Sequence, residues 1–189
     1  SFSLGYNATD YFSPVMDFAV RVADLLPYLA QVNTLLDAKG ARRYRAEDVR
    51  GEMNQLKVLV DLAHLHGLAV LLDVVYNHAG GEFGDESLYF FDRQPQAQGN
   101  NNSLYFTDKG HAGGLVFDYA KAEVRDFLIQ NAKFFLDEYR IDGFRYDQVS
   151  VIDHDGAPHG CCFCQDLTST LHVHRPSALH HAEYWNVNP

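Results

Sequence analysis

The chain has 189 residues, 47% of them apolar and 13% aromatic, enough to bury a core, so it reads as a globular domain or part of one. Its 25 acidic residues against 15 basic ones give a net charge of −10, which argues against nucleic acid or an anionic membrane surface as a partner and suits a neutral substrate. No apolar run reaches the roughly 18 residues of a transmembrane helix, and no secretory signal opens the sequence, which begins at Ser1.

Residues 15–46 are partly helical in pattern, with Pro27 interrupting. Over residues 47–66, Val49, Met53, Leu56, Val60 and Ala63 recur at helical spacing and predict one buried face, with Gly67 as the stop. AVLLDVV, 69–75, is short and continuously apolar, as a strand buried on both faces should be. A polar stretch follows over about 79–118, with PQAQGNNN in its middle, too long for an ordinary connection and read as a functional excursion. Residues 121–139 form the clearest helix, with Val124, Leu128, Ala132 and Phe135 along one side. IDGFRY, 141–146, is a strand, residues 164–174 are helical up to Pro176, and ALHHAEY, 178–184, is a further strand. Alternation of helix and strand predicts an α/β fold with a parallel sheet.

Three of these strands end in charged residues. The first carries Asp73, Asn77 and His78, the second Arg145 and Asp147, the third Glu183. Ligands of parallel α/β folds bind at the carboxyl ends of strands. Side chains alternate along a strand, so Arg145 and Asp147 share a face, together with Gly143, which leaves room there for tight packing. A carboxylate beside a guanidinium stays ionised, as a nucleophile must be. A second carboxyl group in drier surroundings stays protonated and serves as an acid; Glu183, next to Tyr184 and Trp185, is the candidate. Two such groups, roughly 5–5.5 Å apart, make the pair that retaining glycoside hydrolysis requires.

Other residue types carry less. Cys161, Cys162 and Cys164 are an odd, clustered set, a poor disulfide framework, and read as reduced structural thiols, which leans towards a cytoplasmic location. His64 and His66, and likewise His172 and His174, lie two apart on helices and do not share a face; His180 and His181 point to opposite sides of a strand. None of these pairs reads as a metal site. The aromatic runs at 88–91 and 104–106 suit packing of the excursion before sugar stacking. A nucleotide-binding doubly wound fold has the same alternation, but no glycine-rich phosphate turn follows any of the three strands.

The ordered set DVVYNH (73–78), GFRYD (143–147) and AEYW (182–185) resembles the alpha-amylase superfamily, glycoside hydrolase family 13, and LGYNATDYFSP (4–14) is similar to the family's segment after its second strand. Three of the family's four main motifs are matched in order, and DFLIQNAKFFLDEYRIDGFRYD looks most like the branching-enzyme and isoamylase side. The resemblance implies a partial (β/α)8 barrel over residues 1–189, roughly strands 2 to 5, with an excursion over 79–120 after strand 3. It implies Asp147 as nucleophile, Glu183 as acid and then base, and Arg145 as the group that orients and ionises the nucleophile. It further implies His78 as a hydrogen-bond partner of the sugar, Asp73 as a brace, and Tyr6 as the ring on which that sugar stacks. Asn77 sits where many relatives bind a structural calcium; no cofactor is otherwise required. The implied partner is an α-glucan such as starch, glycogen or a maltooligosaccharide. The family's fourth motif, a His–Asp pair after the seventh strand, has no match. A barrel takes roughly 250 residues, so these 189 are expected to be inactive alone, and the alternative is an amylase-like scaffold that binds glucan or a partner without catalysis.

Overall fold

The computed structural model describes residues 5–8, 10–79, 92 and 103–185. They form two compact units, one made of residues 12–70 and 135–142, the other of the described residues before 12, between 71 and 134, and from 143 to 185.

In the first unit, helix α1 (Leu25–Ala38) and helix α2 (Glu52–Leu65) are joined through a 3-10 turn at Ala46–Val49. Pro27 does not interrupt α1. It is the third residue of the helix, where the amide hydrogen it lacks would have had no partner. Leu25, Val32, Leu36, Val49 and Val58 form the core of this unit. The buried face of α2 matches the expected one in part. Val49 and Val60 are buried as expected and Leu56 and Ala63 are half-buried, whereas Met53 is 38% exposed and Val58 is buried in addition; Val49 belongs to the preceding turn, and the helix begins only after Gly51. The helix ends as expected at Gly67, whose N–H donates to His64 O at 2.9 Å while Leu68 N–H donates to Ala63 O at 2.9 Å. Asp142 closes the unit, accepting from Val70 N–H at 2.7 Å and pairing with His64 Nε2 at 2.8 Å.

The second unit holds a three-stranded parallel sheet in the order β1 (Leu71–Val74), β5 (Gly143–Tyr146), β6 (Leu179–Ala182). The predicted α/β sheet is therefore present. Its first strand is not buried on both faces: Leu71 is 41% exposed and Asp73 is exposed, because β1 is an outer strand of the sheet. Helix α3 (Ala122–Glu138) lies between β1 and β5 in the chain; its residues up to Phe134 belong to this unit and bury Val124, Leu128 and Ala132 as the spacing predicts, whereas Phe135, which belongs to the first unit, is only half-buried. Two helices rather than one precede β6: α4 (Val149–His154) and α5 (His159–His174). Cys161 and Cys162 are exposed rather than packed, which removes the structural role expected of them; all three cysteines are free. Burial pushes the half-buried Cys164 thiol up to about 11.

The excursion contributes a second, antiparallel sheet made of β2 (His78–Ala79), β4 (Gly114–Phe117) and β3 (Phe106–His111). Ala112 and Gly113, both at positive φ, make the two-residue turn between β3 and β4. Phe106 is fully buried, and Tyr105 packs edge-on against Phe127 at 5.8 Å, so these two residues of the run at 104–106 serve packing, while Leu104 is exposed. The run at 88–91 and the PQAQGNNN stretch lie outside the described residues.

Buried polar bonds fix the chain where it leaves β1. Tyr76 donates to Asn131 Oδ1 at 2.6 Å, Tyr119 donates to Tyr76 O at 2.7 Å, and the Tyr119 ring stacks on Phe163 at 5.0 Å. An unpaired hydroxyl at this depth would be costly, so each bond narrows where the next residues, Asn77 and His78, can lie.

Candidate active site

Parallel register sets Asp73, Arg145 and His181 abreast on β1, β5 and β6. Gly143 is what lets β6 come this close. A Cβ on it would stand 2.2 Å from Leu179 O and 2.6 Å from Leu179 N, backbone atoms that cannot swing away. The ladder then runs past the strand ends: Asp147 N–H donates to Val74 O and Glu183 N–H to Tyr146 O, each at 3.0 Å.

The centre of the cluster is Arg145. Its Nη1 lies 2.6 Å from Asp73 Oδ1 and 2.9 Å from Asp147 Oδ1, and its Nη2 lies 2.8 Å from Glu183 Oε1. One guanidinium thus gathers three carboxylates, as its planar fork of donors permits. Burial pulls the Arg145 pKa down, but its bonds to Asp73 and Asp147 and the charge of Glu183 outweigh it and raise the pKa above the ordinary arginine range. Asp147 is buried and accepts at both oxygens, from Arg145 at Oδ1 and from Asn77 Nδ2 at Oδ2, 3.0 Å away. Asn77 also donates to Asp147 O at 2.7 Å.

Glu183 differs from its expected state. The sequence leads one to expect the drier, protonated partner of the pair. Instead its Oε2 accepts the Gln148 N–H at 2.9 Å, and its Oε1 meets Arg145. These bonds, the backbone one first, hold its pKa below the usual range, so the resting group is a carboxylate.

The remaining expected residues are also drawn together. Tyr6 donates to Asp73 Oδ2 at 2.8 Å, which raises the phenol pKa, and its ring lies 5.8 Å from the Arg145 guanidinium carbon. His78 is buried, and neither ring nitrogen is free: Nδ1 meets Asn77 Oδ1 and Nε2 meets Asn7 Oδ1 at 3.1 Å. A sugar reaching His78 has to displace Asn7. Burial, then the neighbouring His111, lowers the His78 pKa to about 4; the neutral ring carries its one proton at Nδ1, towards Asn77 Oδ1, so Nε2 can only accept and is matched when the Asn7 amide turns its nitrogen to it. Asn77 does not suit a calcium ion as arranged, since its nitrogen is on Asp147 and its oxygen on His78. Among the described residues no group of three or more His, Cys, Asp or Glu side chains is placed to hold a metal.

Sequence reasoning missed three residues. Asn7 follows Tyr6 directly and could have been read with it. His111 lies in the excursion and carries no local signal; its ring stands edge-on to His78 at 5.3 Å. Gln148 follows Asp147, and only its backbone conformation reveals its contact with Glu183. A cleft of about 450 Å³ opens at Gln148 and Trp185, with His111, Ser150, His154 and Asp155 among its lining residues. No helix among the described residues is long and apolar enough to cross a membrane.

No protein-family model matches the chain. It is similar to the 1,4-alpha-glucan-branching enzyme of Emericella nidulans, 36% identical over 168 residues, which is 83% of this chain and 21% of that protein. The branching enzyme of Saccharomyces cerevisiae is 34% identical over 70% of this chain and 19% of its own length. The malto-oligosyltrehalose trehalohydrolase of Saccharolobus solfataricus is 33% identical over 70% of this chain and 22% of its own length. Among solved structures, the Group B Streptococcus pullulanase SAP shares the fold with a TM-score of 0.56 at 24% identity, covering 74% of this chain and 16% of that one. The catalytic module of the glycogen-degrading pneumococcal virulence factor SpuA shares it with a TM-score of 0.54 at 22% identity, covering 75% of this chain and 18% of that one. The chain spans about a fifth of the length of the curated relatives it matches. With its three ordered motifs converging on one site, the chain belongs to the alpha-amylase superfamily, glycoside hydrolase family 13.

Proposed function

We propose that these residues form part of the catalytic domain of a retaining α-glucan enzyme that cleaves an α-glucosidic bond and passes the glycosyl group to water or to another glucan. The branching-enzyme relatives favour 1,4-α-glucan branching among these outcomes. The three parallel strands described here are read as strands 3, 4 and 5 of a (β/α)8 barrel, no counterpart of the second strand standing among the described residues, and residues 79–120 as the excursion after the third. The free thiols support a reducing, cytoplasmic setting.

The observation that carries this reading is that Asp147 and Glu183 meet the two terminal nitrogens of one guanidinium. They therefore face the same side of the sheet, as two acids acting on one sugar must. In the first step an Asp147 oxygen attacks the anomeric carbon while protonated Glu183 gives its proton to the departing glycosidic oxygen. In the second, the Glu183 carboxylate takes a proton from water or from a sugar hydroxyl, which attacks the anomeric carbon and releases Asp147. The resting structure holds Glu183 in the form the second step needs. The first step needs it protonated, so the alkaline limb of kcat/KM should fall at a lower pH than an unperturbed glutamate would give.

Asp147→Asn and Glu183→Gln in the complete protein, assayed on amylose, test the assignment. Loss of more than about 1,000-fold in kcat in both variants is expected. Near-wild-type activity in either one removes the reading. New branch points among the products identify a transferase, and shorter linear products a hydrolase.

A further inference from the structure

Gln148 stands at φ 39 and ψ 58, in the left-handed region, which a residue with a side chain occupies at a cost and glycine occupies freely. It follows Asp147 directly, at the point where the ladder of β5 against β6 is interrupted. The ladder is taken up again one residue later, where Val149 N–H donates to Glu183 O at 2.8 Å. Because of the turn, the Gln148 N–H leaves the ladder and donates to the Glu183 side chain at 2.9 Å. The Gln148 side chain is held in turn. Its Oε1 lies 2.8 Å from His111 Nε2, and since an amide oxygen only accepts, the imidazole carries its proton there. His111 is the last residue of β3, so this bond ties the antiparallel sheet of the excursion to the residue that touches the acid.

We propose that Gln148 is a positioning residue for Glu183, kept in its turned conformation by His111, so that the excursion sheet sets where the acid's carboxylate sits. The inference rests on the proposed function for its kinetic consequence and on contacts for its geometry. The charged groups facing Glu183 are Arg145 at 2.8 Å and Asp147, which shares that guanidinium; Asp73 acts through Arg145, and His111 stands behind Gln148. Arg145 is common to every state; the Gln148 variants differ in the Gln148 N–H, whereas His111→Phe also removes the imidazole beside His78, an effect that the Gln148→Gly background isolates. If the turn relaxes, that donor swings away and Glu183 protonates more easily.

Five variants of the complete protein test this: Gln148→Ala, His111→Phe, which keeps a ring against His78, the two combined, Gln148→Gly, and Gln148→Gly combined with His111→Phe. The alkaline limb of kcat/KM on amylose is expected to move up by about one pH unit in Gln148→Ala and in His111→Phe, and no further in the double variant. Gln148→Gly, which holds the turn without help, should keep the limb at the wild-type position, and adding His111→Phe to it should not move the limb. A lowered Tm with an unmoved limb in Gln148→Ala overturns the proposal, as does an additive double variant. If the wild-type protein leaves glucans intact, the functional reading fails separately. The carboxyl titration of Glu183, followed by carbon-13 NMR in the same variants, then decides the positioning role without activity.

Discussion

Asn77 donates its side-chain nitrogen to both the main-chain oxygen and the Oδ2 of Asp147, at 2.7 and 3.0 Å. A residue that the family resemblance associates with a cation is thus, in this chain, a direct hydrogen-bond partner of the candidate nucleophile. The bond is made in a buried place, where a donor to a charged acceptor is worth about 1.5–3 kcal/mol. Asn77→Ala leaves Asp147 Oδ2 without that donor and leaves its backbone oxygen unmatched. The expected result is a loss of about 10- to 100-fold in kcat, with KM for amylose changed much less, because the missing bond orients the attacking oxygen. Asn77→Asp should be worse, since it sets a like charge against Asp147. A KM effect without a kcat effect would show that Asn77 serves substrate binding instead.

Gly143 links strand packing to the same chemistry. It lies two residues before Arg145 and four before Asp147, and its bare α-carbon allows the Leu179 backbone to approach. Gly143→Ala would place a methyl group 2.2 Å from Leu179 O. The clash is with main chain, so relief requires β6 to separate from β5. Glu183 is carried one residue past the end of β6, and its distance to Arg145 grows with that separation. Gly143→Ala is expected to lower stability by about 2–3 kcal/mol in urea unfolding and to reduce kcat more than removal of any one surface contact. Full retention of both would mean that β5 and β6 tolerate spreading.

These two positions show what the residue order makes readable. Arg145 and Asp147 on one face follow from strand alternation, and their place beside Asp73 follows from parallel register. Both are consequences of period-two geometry that any correct strand assignment carries with it. The ionisation of Glu183 was not readable in that way. Burial next to Tyr184 and Trp185 suggested a neutral acid, but the group's state is decided by a backbone N–H that reaches it only because Gln148 turns into the left-handed region. A glutamine gives no warning of that conformation, as a glycine would have. The excursion was visible as a polar stretch, whereas the β3–β4 hairpin within it was not, because its turn uses Ala112 where Asn or Gly usually announces a positive φ. The partial shift of the buried face on α2 has the same origin: the helical period was correct, and the break at Gly51 altered which residues it applied to.

His78 offers a test of the site that needs no substrate. Its ring is buried, bonded at both nitrogens to amide side chains and neutral, with its pKa lowered to about 4 by burial first and His111 second. In the unfolded chain the same imidazole titrates near 6.5. Between these values the unfolded state binds a proton that the folded state refuses, so stability falls as pH drops from about 6.5 towards 4, by up to about 3 kcal/mol. Above about 6.5 both states are neutral and this contribution is constant. Glu183, whose pKa is also lowered, adds a loss of the same sign at the acid end, below the ordinary glutamate range. The two are separable by substitution. His78→Gln keeps a polar side chain that can still reach Asn77 and Asn7, and should flatten the stability curve between pH 4 and 6.5. A curve as steep as that of wild type would show that His78 binds its proton equally in the folded and unfolded chain and contributes nothing to the pH dependence.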